Sequence, residues 1–196
     1  MIDDRMRSAL IWLGAGGGSF VPGYSYFTSY PPPLFPGIGL ITAALTGAMI
    51  YMVYAYTREQ RMGRLSSLLR ASRVLLTAAL VLLVVYVVML RYCTVLPPRA
   101  DAPRCQIGFG KCDWSLTEAG LALKRSNHGS ESVMNWMLAE AAFQPGGAEK
   151  LWKPWSILLS GITMIIVYLA AFACWTCGFA VLAKHYALKR ERDVAD

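Results

Sequence analysis

The sequence predicts an all-α integral membrane protein with three transmembrane helices, possible expansion to four, and a small helical loop domain on the extracytoplasmic side. Three observations carry that expectation. Charged residues are 16% of the 196 and hydrophobic ones 56%, whereas a soluble domain of this size carries about a quarter charged residues. Asp, Glu, Lys, Arg and His are absent from 8–57, 74–90 and 154–183, and a membrane-crossing helix needs roughly 20 apolar residues. Arginines collect between the first two of these stretches, where orientation signals belong.

The N-terminal segment 1–34 is uncharged beyond Arg7 but rich in Gly, Pro, Tyr and Ser. Its glycines weaken a helix and Pro22 interrupts one. The segment reads as interfacial, re-entrant or a weak fourth span. No secretory signal is expected in it.

The first clear span is 35–57. Within "GIGLITAALTGAMIYMVYAY", Ala43 and Gly47, and Ala44 and Ala48, stand four residues apart. Small residues at that spacing let helix backbones approach closely in lipid. Contact with the chain's own helices and contact with another subunit are both open for this face.

Segment 58–73 carries Arg58, Arg61, Arg64, Arg70 and Arg73 against the single acid Glu59. A short loop with that excess stays on the cytoplasmic side or its organellar equivalent. The second span, 74–96, is almost all Leu and Val and suits a lipid-facing position. The loop 97–153 then lies on the extracytoplasmic side. There an oxidising compartment lets thiols pair, and Cys105–Cys112 is the first candidate bridge, with Cys93 as the alternative.

Ser115 and Glu118 stand at capping-box spacing and mark a helix start. "SESVMNWMLAEAAF" follows as a second helix, giving an expected helical hairpin. Its face, Val133, Met134, Trp136, Met137, Leu138 and Phe143, serves either self-packing or partner docking. Trp152, Lys153 and Trp155 introduce the third span as interfacial anchors, with Pro154 in the first helical turn. The third span, 156–182, has Ser160 and Gly161 as small packing residues, and the charged tail 183–196 returns to the cytoplasmic side.

"CWTC" places Cys174 and Cys177 at the spacing of thiol redox centres and half-zinc sites. Nineteen residues beyond Trp155, at 1.5 Å each, put Cys174 roughly 28 Å away, near the cytoplasmic boundary. In size and cysteine usage the chain looks superficially like membrane thiol oxidoreductases of the DsbB and vitamin K epoxide reductase type. Their dithiol and shuttle cysteines work at one face, however, and sulfurs about 30 Å apart do not exchange. Zinc wants four ligands, and only His185 stands near. The pair therefore reads as soft packing residues.

The expected spans hold no charged residue except Arg91 near an end, which argues against transporters, proton relays and charged pores. His128 and His185 lie outside the spans, so no haem ligation is expected. No catalytic, cofactor-binding or metal-ligating set is expected. An apolar site for a lipid or a quinone needs no charged residue and is compatible with these spans. The net charge of +7 is accounted for by orientation signals, and nucleic acid is not an expected partner.

The expected function is a non-catalytic accessory or structural subunit of a larger membrane complex, with other membrane-protein subunits and the bilayer as partners. It supplies helix-packing surface and an outer docking cap in a bacterial or organellar inner membrane. The alternatives are a thiol-redox protein using Cys174 and Cys177, and a homo-oligomeric, channel-like effector.

Overall fold

The computed structural model describes residues 38–57, 65–95, 105–126, 132–139 and 147–195. They form α1 (Ile38–Thr57), α2 (Leu65–Cys93), β1 (Thr94–Val95), β2 (Cys105–Gln106), a 3-10 turn (Asp113–Ser115), α3 (Glu118–Ser126), α4 (Val133–Ala139), α5 (Gly147–Leu151) and α6 (Pro154–Ala195). The N-terminal segment 1–34, Arg58, Arg61, Arg64 and His128 lie outside the described residues.

Two helices are long and apolar enough to cross a membrane: Ser66–Cys93 within α2 and Pro154–Lys189 within α6. The rest of the chain buries only 17% of the most apolar stretch of the first and 33% of the second. A helix at the core of a soluble protein is buried all round; these are not. The expected first span is helical over Ile38–Thr57, and its described apolar part is Ala44–Val53.

Both long helices also exceed their expected bounds. α2 begins at Leu65 rather than 74 because "LSSLLRASR" is amphipathic: Leu68 and Ser72 are buried while Arg70 and Arg73 are exposed. Half of the expected arginine loop is therefore helix. α6 runs on past 182 because "AKHYALKRERDVA" holds no glycine or proline and is rich in strong helix formers. Pro154 is its first helical residue, and the Lys153 carbonyl accepts the Ser156 and Ile157 N–H groups.

The chain divides into two compact units. The first joins residues up to Val84 with Val167 onward. In it Leu68 of α2 packs with Val181 and Leu188 of α6, and Val53 of α1 and Leu75 of α2 flank them.

The second unit is Val85–Ile166. Its core is Val95, Ile107, Leu116, Trp136, Met137, Leu151 and Trp152. β1 and β2 pair antiparallel with Thr94 opposite Gln106 and Val95 opposite Cys105, a strand pair the sequence reading lacked. The helical-hairpin expectation needs correction as well. A third short helix, α5, follows the two expected ones in sequence, and both α3 and α4 pack on it. The start of α3 is capped by Thr117, whose hydroxyl accepts the Gly120 N–H. Ser115 instead sits in the 3-10 turn, its hydroxyl donating to the Cys112 carbonyl. Trp136 and Met137 are fully buried, so the Met/Trp face of α4 closes on its own core and presents no docking surface through those side chains.

Candidate functional site

Three helices meet within the first unit around Cys177 and Gly178. A Cβ on Gly178 would lie 2.9 Å from Leu76 side-chain atoms of α2, so a hydrogen there is what permits the close approach. The buried Ser72 hydroxyl donates to the Gly178 carbonyl at 2.9 Å, an interhelical bond of the kind worth about 0.6 kcal/mol in a membrane. From α1, Met49 brings its thioether within 3.5 Å of the Cys177 sulfur. Cys174 and Cys177 are half-buried free thiols, with Thr176 fully buried between them. His185 is buried two helical turns further along α6. Among the described residues no three His, Cys, Asp or Glu side chains cluster as metal ligands.

The three remaining cysteines belong to the second unit, and all are free thiols. Cys105 and Cys112, the first candidate bridge, are two separate thiols in this structure. Cys105 is tied into the strand pair opposite Val95, its thiol directed at the Gln106 carbonyl. Cys112 is exposed ahead of the 3-10 turn. Cys93 is buried at the end of α2, its carbonyl accepting the Ile107 N–H at 2.9 Å.

Burial pushes the Cys105 thiol above its ordinary pKa, so its thiolate, the alkylating species, appears only at higher pH than that of a free thiol. Alkylation of the native protein at neutral pH is expected to proceed at Cys112 first, then Cys105, then Cys93. The Cys105 rate should still be climbing at pH values where an ordinary thiol has levelled off. Peptide mass spectrometry of a labelling time course reads the order. Equal rates at Cys105 and Cys112 would contradict the burial argument.

The interfacial anchors also need revision. Trp152 is fully buried, its indole N–H donating to the Gly110 carbonyl at 2.8 Å, so it is a core residue and no interfacial anchor. The unit's exposed aromatic surface is instead Trp155 stacked on Trp114, with ring centroids 5.6 Å apart, and Phe109 against Trp114 at 5.0 Å. Lys153 donates to the Trp114 carbonyl. Amphipathic rings and a lysine on one surface are the composition of a membrane–water boundary.

Among the expected packing residues, Gly161 makes its close approach to a side chain: a Cβ there would overlap Gln106, whose amide donates to the Ile157 carbonyl at 2.8 Å. Gly47 behaves in the opposite way. Among the described residues nothing lies within 4 Å of where its Cβ would be, and Ala44 and Ala48 are exposed beside it. The side chain of Ala43 lies outside the described residues. Among the described residues, none packs on the small face of α1 at Gly47, and Ala44 and Ala48 are exposed.

Met49, Ser72, Trp114 and Gly178 were missed as site residues in the sequence. Gly178 carried a signal, being an isolated glycine inside an apolar helix, which needs a packing reason. Ser72 did too, as a polar residue in helical register with Leu68 and Leu75. Met49 carried none, since only the fold brings it to Cys177. Comparison with known proteins supplies no further guide, because no family model, no curated protein and no solved structure matches this chain.

Proposed function

We propose that the chain is an integral membrane protein acting as a non-catalytic accessory subunit of a larger membrane complex. In this reading α1, α2 and α6 cross the bilayer, with 1–34 as an interfacial or re-entrant element. The observation that carries it is the open small-residue face of α1. Lipid chains gain little from packing on a glycine, whereas a neighbouring helix gains close backbone approach. Support for the bilayer comes from the exposed Val74, Leu80, Val81, Val84 and Val88 of α2 and Leu158, Ile162 and Ile166 of α6. Among the described residues, the buried polar side chains are hydroxyls and His185, with no buried Asp, Glu, Lys or Arg. That composition suits packing better than transport.

The five arginines put Ser66 on the cytoplasmic side and the loop 97–153, including Ser126, on the other. Both serines are exposed. Cysteines introduced at Ser66 and Ser126 in a background without other accessible thiols should label from opposite sides with a membrane-impermeant reagent. Labelling of both from one side would contradict the topology. For the subunit reading itself, isolation from native membranes in mild detergent is expected to give a defined stoichiometric assembly with other membrane chains. An active, partner-free monomer would overturn it, and closed rings of this chain alone would favour the homo-oligomeric alternative.

A further inference from the structure

The accessory-subunit reading leaves the Cys-x-x-Cys pair without a task, and the fold adds a third sulfur to it. Cys177 Sγ and Met49 Sδ are 3.5 Å apart although the residues are 128 positions apart in the chain. Cys174 stands one turn before Cys177 on α6, and residues three apart share a helix face with Cβ atoms about 5–6 Å apart. The chain has only 5 Cys and 9 Met among its 196 residues, so a thioether set against one thiol of a Cys-x-x-Cys pair does not follow from composition.

The donor set selects its ion. Thiolate and thioether are soft ligands, and together they favour Cu(I) over the hard cations that need carboxylates. Structural zinc takes four donors in a tetrahedron, and here neither a carboxylate nor a histidine joins the described cluster. A three-coordinate ion needs no fourth group. With metal–sulfur bonds of about 2.3 Å, a trigonal set places neighbouring sulfurs roughly 4.0 Å apart. The observed 3.5 Å is within a small side-chain adjustment of that, and methionine's three rotatable bonds make the adjustment easy.

We propose that Cys174, Cys177 and Met49 form an all-sulfur site for Cu(I) where α1 meets α6. Binding exchanges the two thiol protons for the ion: both protons leave to solvent, both thiolates bind copper, and copper stays Cu(I), so no electron moves. The product carries one net negative charge. Arg70 and Arg73 flank Ser72, which is bonded to Gly178, and so put positive charge on the neighbouring helix at this level. Because protons are released, apparent affinity rises with pH.

The test uses the full chain in lipid nanodiscs under anaerobic reducing conditions, with Cu(I) competed against bicinchoninate. The expected result is one Cu(I) per chain, a first shell of sulfur alone by X-ray absorption, and full retention when Cys93, Cys105 and Cys112 are all serine. Cys177→Ser should weaken binding by more than about 100-fold, since loss of an outer-shell partner alone costs 10–100-fold. Met49→Leu conserves volume and should keep the fold. It should weaken binding by about tenfold and reduce the sulfur count from three to two. Absence of competition by the wild-type chain would overturn the site. So would a Met49→Leu chain with unchanged affinity and spectrum, or copper that is lost with the Cys93, Cys105 and Cys112 set.

Discussion

Replacing Trp152 with alanine is expected to destabilise the Val85–Ile166 unit by about 4 kcal/mol, the cost typical of deleting a buried tryptophan. The side chain is fully buried with Ile107, Leu116, Trp136, Met137 and Leu151 around it. Its indole N–H also holds the Gly110 carbonyl, at the glycine whose φ of 54° turns the loop. Truncation therefore opens a cavity and leaves a buried carbonyl unpaired. Cys93 provides the readout, being buried in the same unit and bonded through its backbone to Ile107. At tenfold per 1.4 kcal/mol, its alkylation through the opened state should accelerate by about a thousandfold. Trp152→Phe keeps most of the buried area and should cost about 1–2 kcal/mol, chiefly the lost hydrogen bond. A Trp152→Ala chain with unchanged Cys93 labelling would contradict the placement of this residue at the core.

Gly120→Ala is expected to be the most damaging single-methyl change in the same unit. The added Cβ would sit 2.4 Å from the Leu151 carbonyl oxygen. That oxygen has little room to retreat, because it accepts the Thr117 N–H at 3.0 Å beside the bridge between Leu116 and Trp152. Leu116 closes the other side, its Cβ 3.3 Å away. Alanine gains at most about 1 kcal/mol of helix propensity over glycine, and overpacking of this kind costs about 3 kcal/mol, so a net loss of about 2 kcal/mol is expected. The effect should appear as faster hydrogen exchange in α3 and α5. Gly47→Ala, made in open space, is the matched control and should leave stability unchanged or slightly raised. Equal behaviour of the two variants would contradict the packing described.

How much of this was legible in the sequence follows from the range of the forces involved. α2 and α6 announce themselves because a long uncharged run is a local property. Their true ends were less legible: Leu65–Arg73 and the stretch after 182 are charged, yet amphipathic register and helix propensity carry them on. Trp152 shows where local reading fails. Together with Lys153 and Trp155 at the head of an apolar helix it matches an interfacial anchor. Only the loop folding back from β2, with Gly110 and Gly108 beneath the indole, shows that it is enclosed, while Trp155 and Trp114 take the exposed place. The sulfur cluster was half visible for the same reason. Cys174 and Cys177 advertise their spacing, but Met49 reaches Cys177 through tertiary packing alone.

The central claim, that α1 offers its open face to another subunit, is tested most directly by a photoreactive side chain at Gly47. The site suits the added bulk, since none of the described residues lies within 4 Å of it. Irradiation in native membranes, with the same group at exposed Val84 as a lipid-facing control, should join Gly47 to a discrete second chain of different sequence identified by peptide mass spectrometry. Adducts with lipid alone, matching those at Val84, or with a second copy of this chain, would contradict the claim.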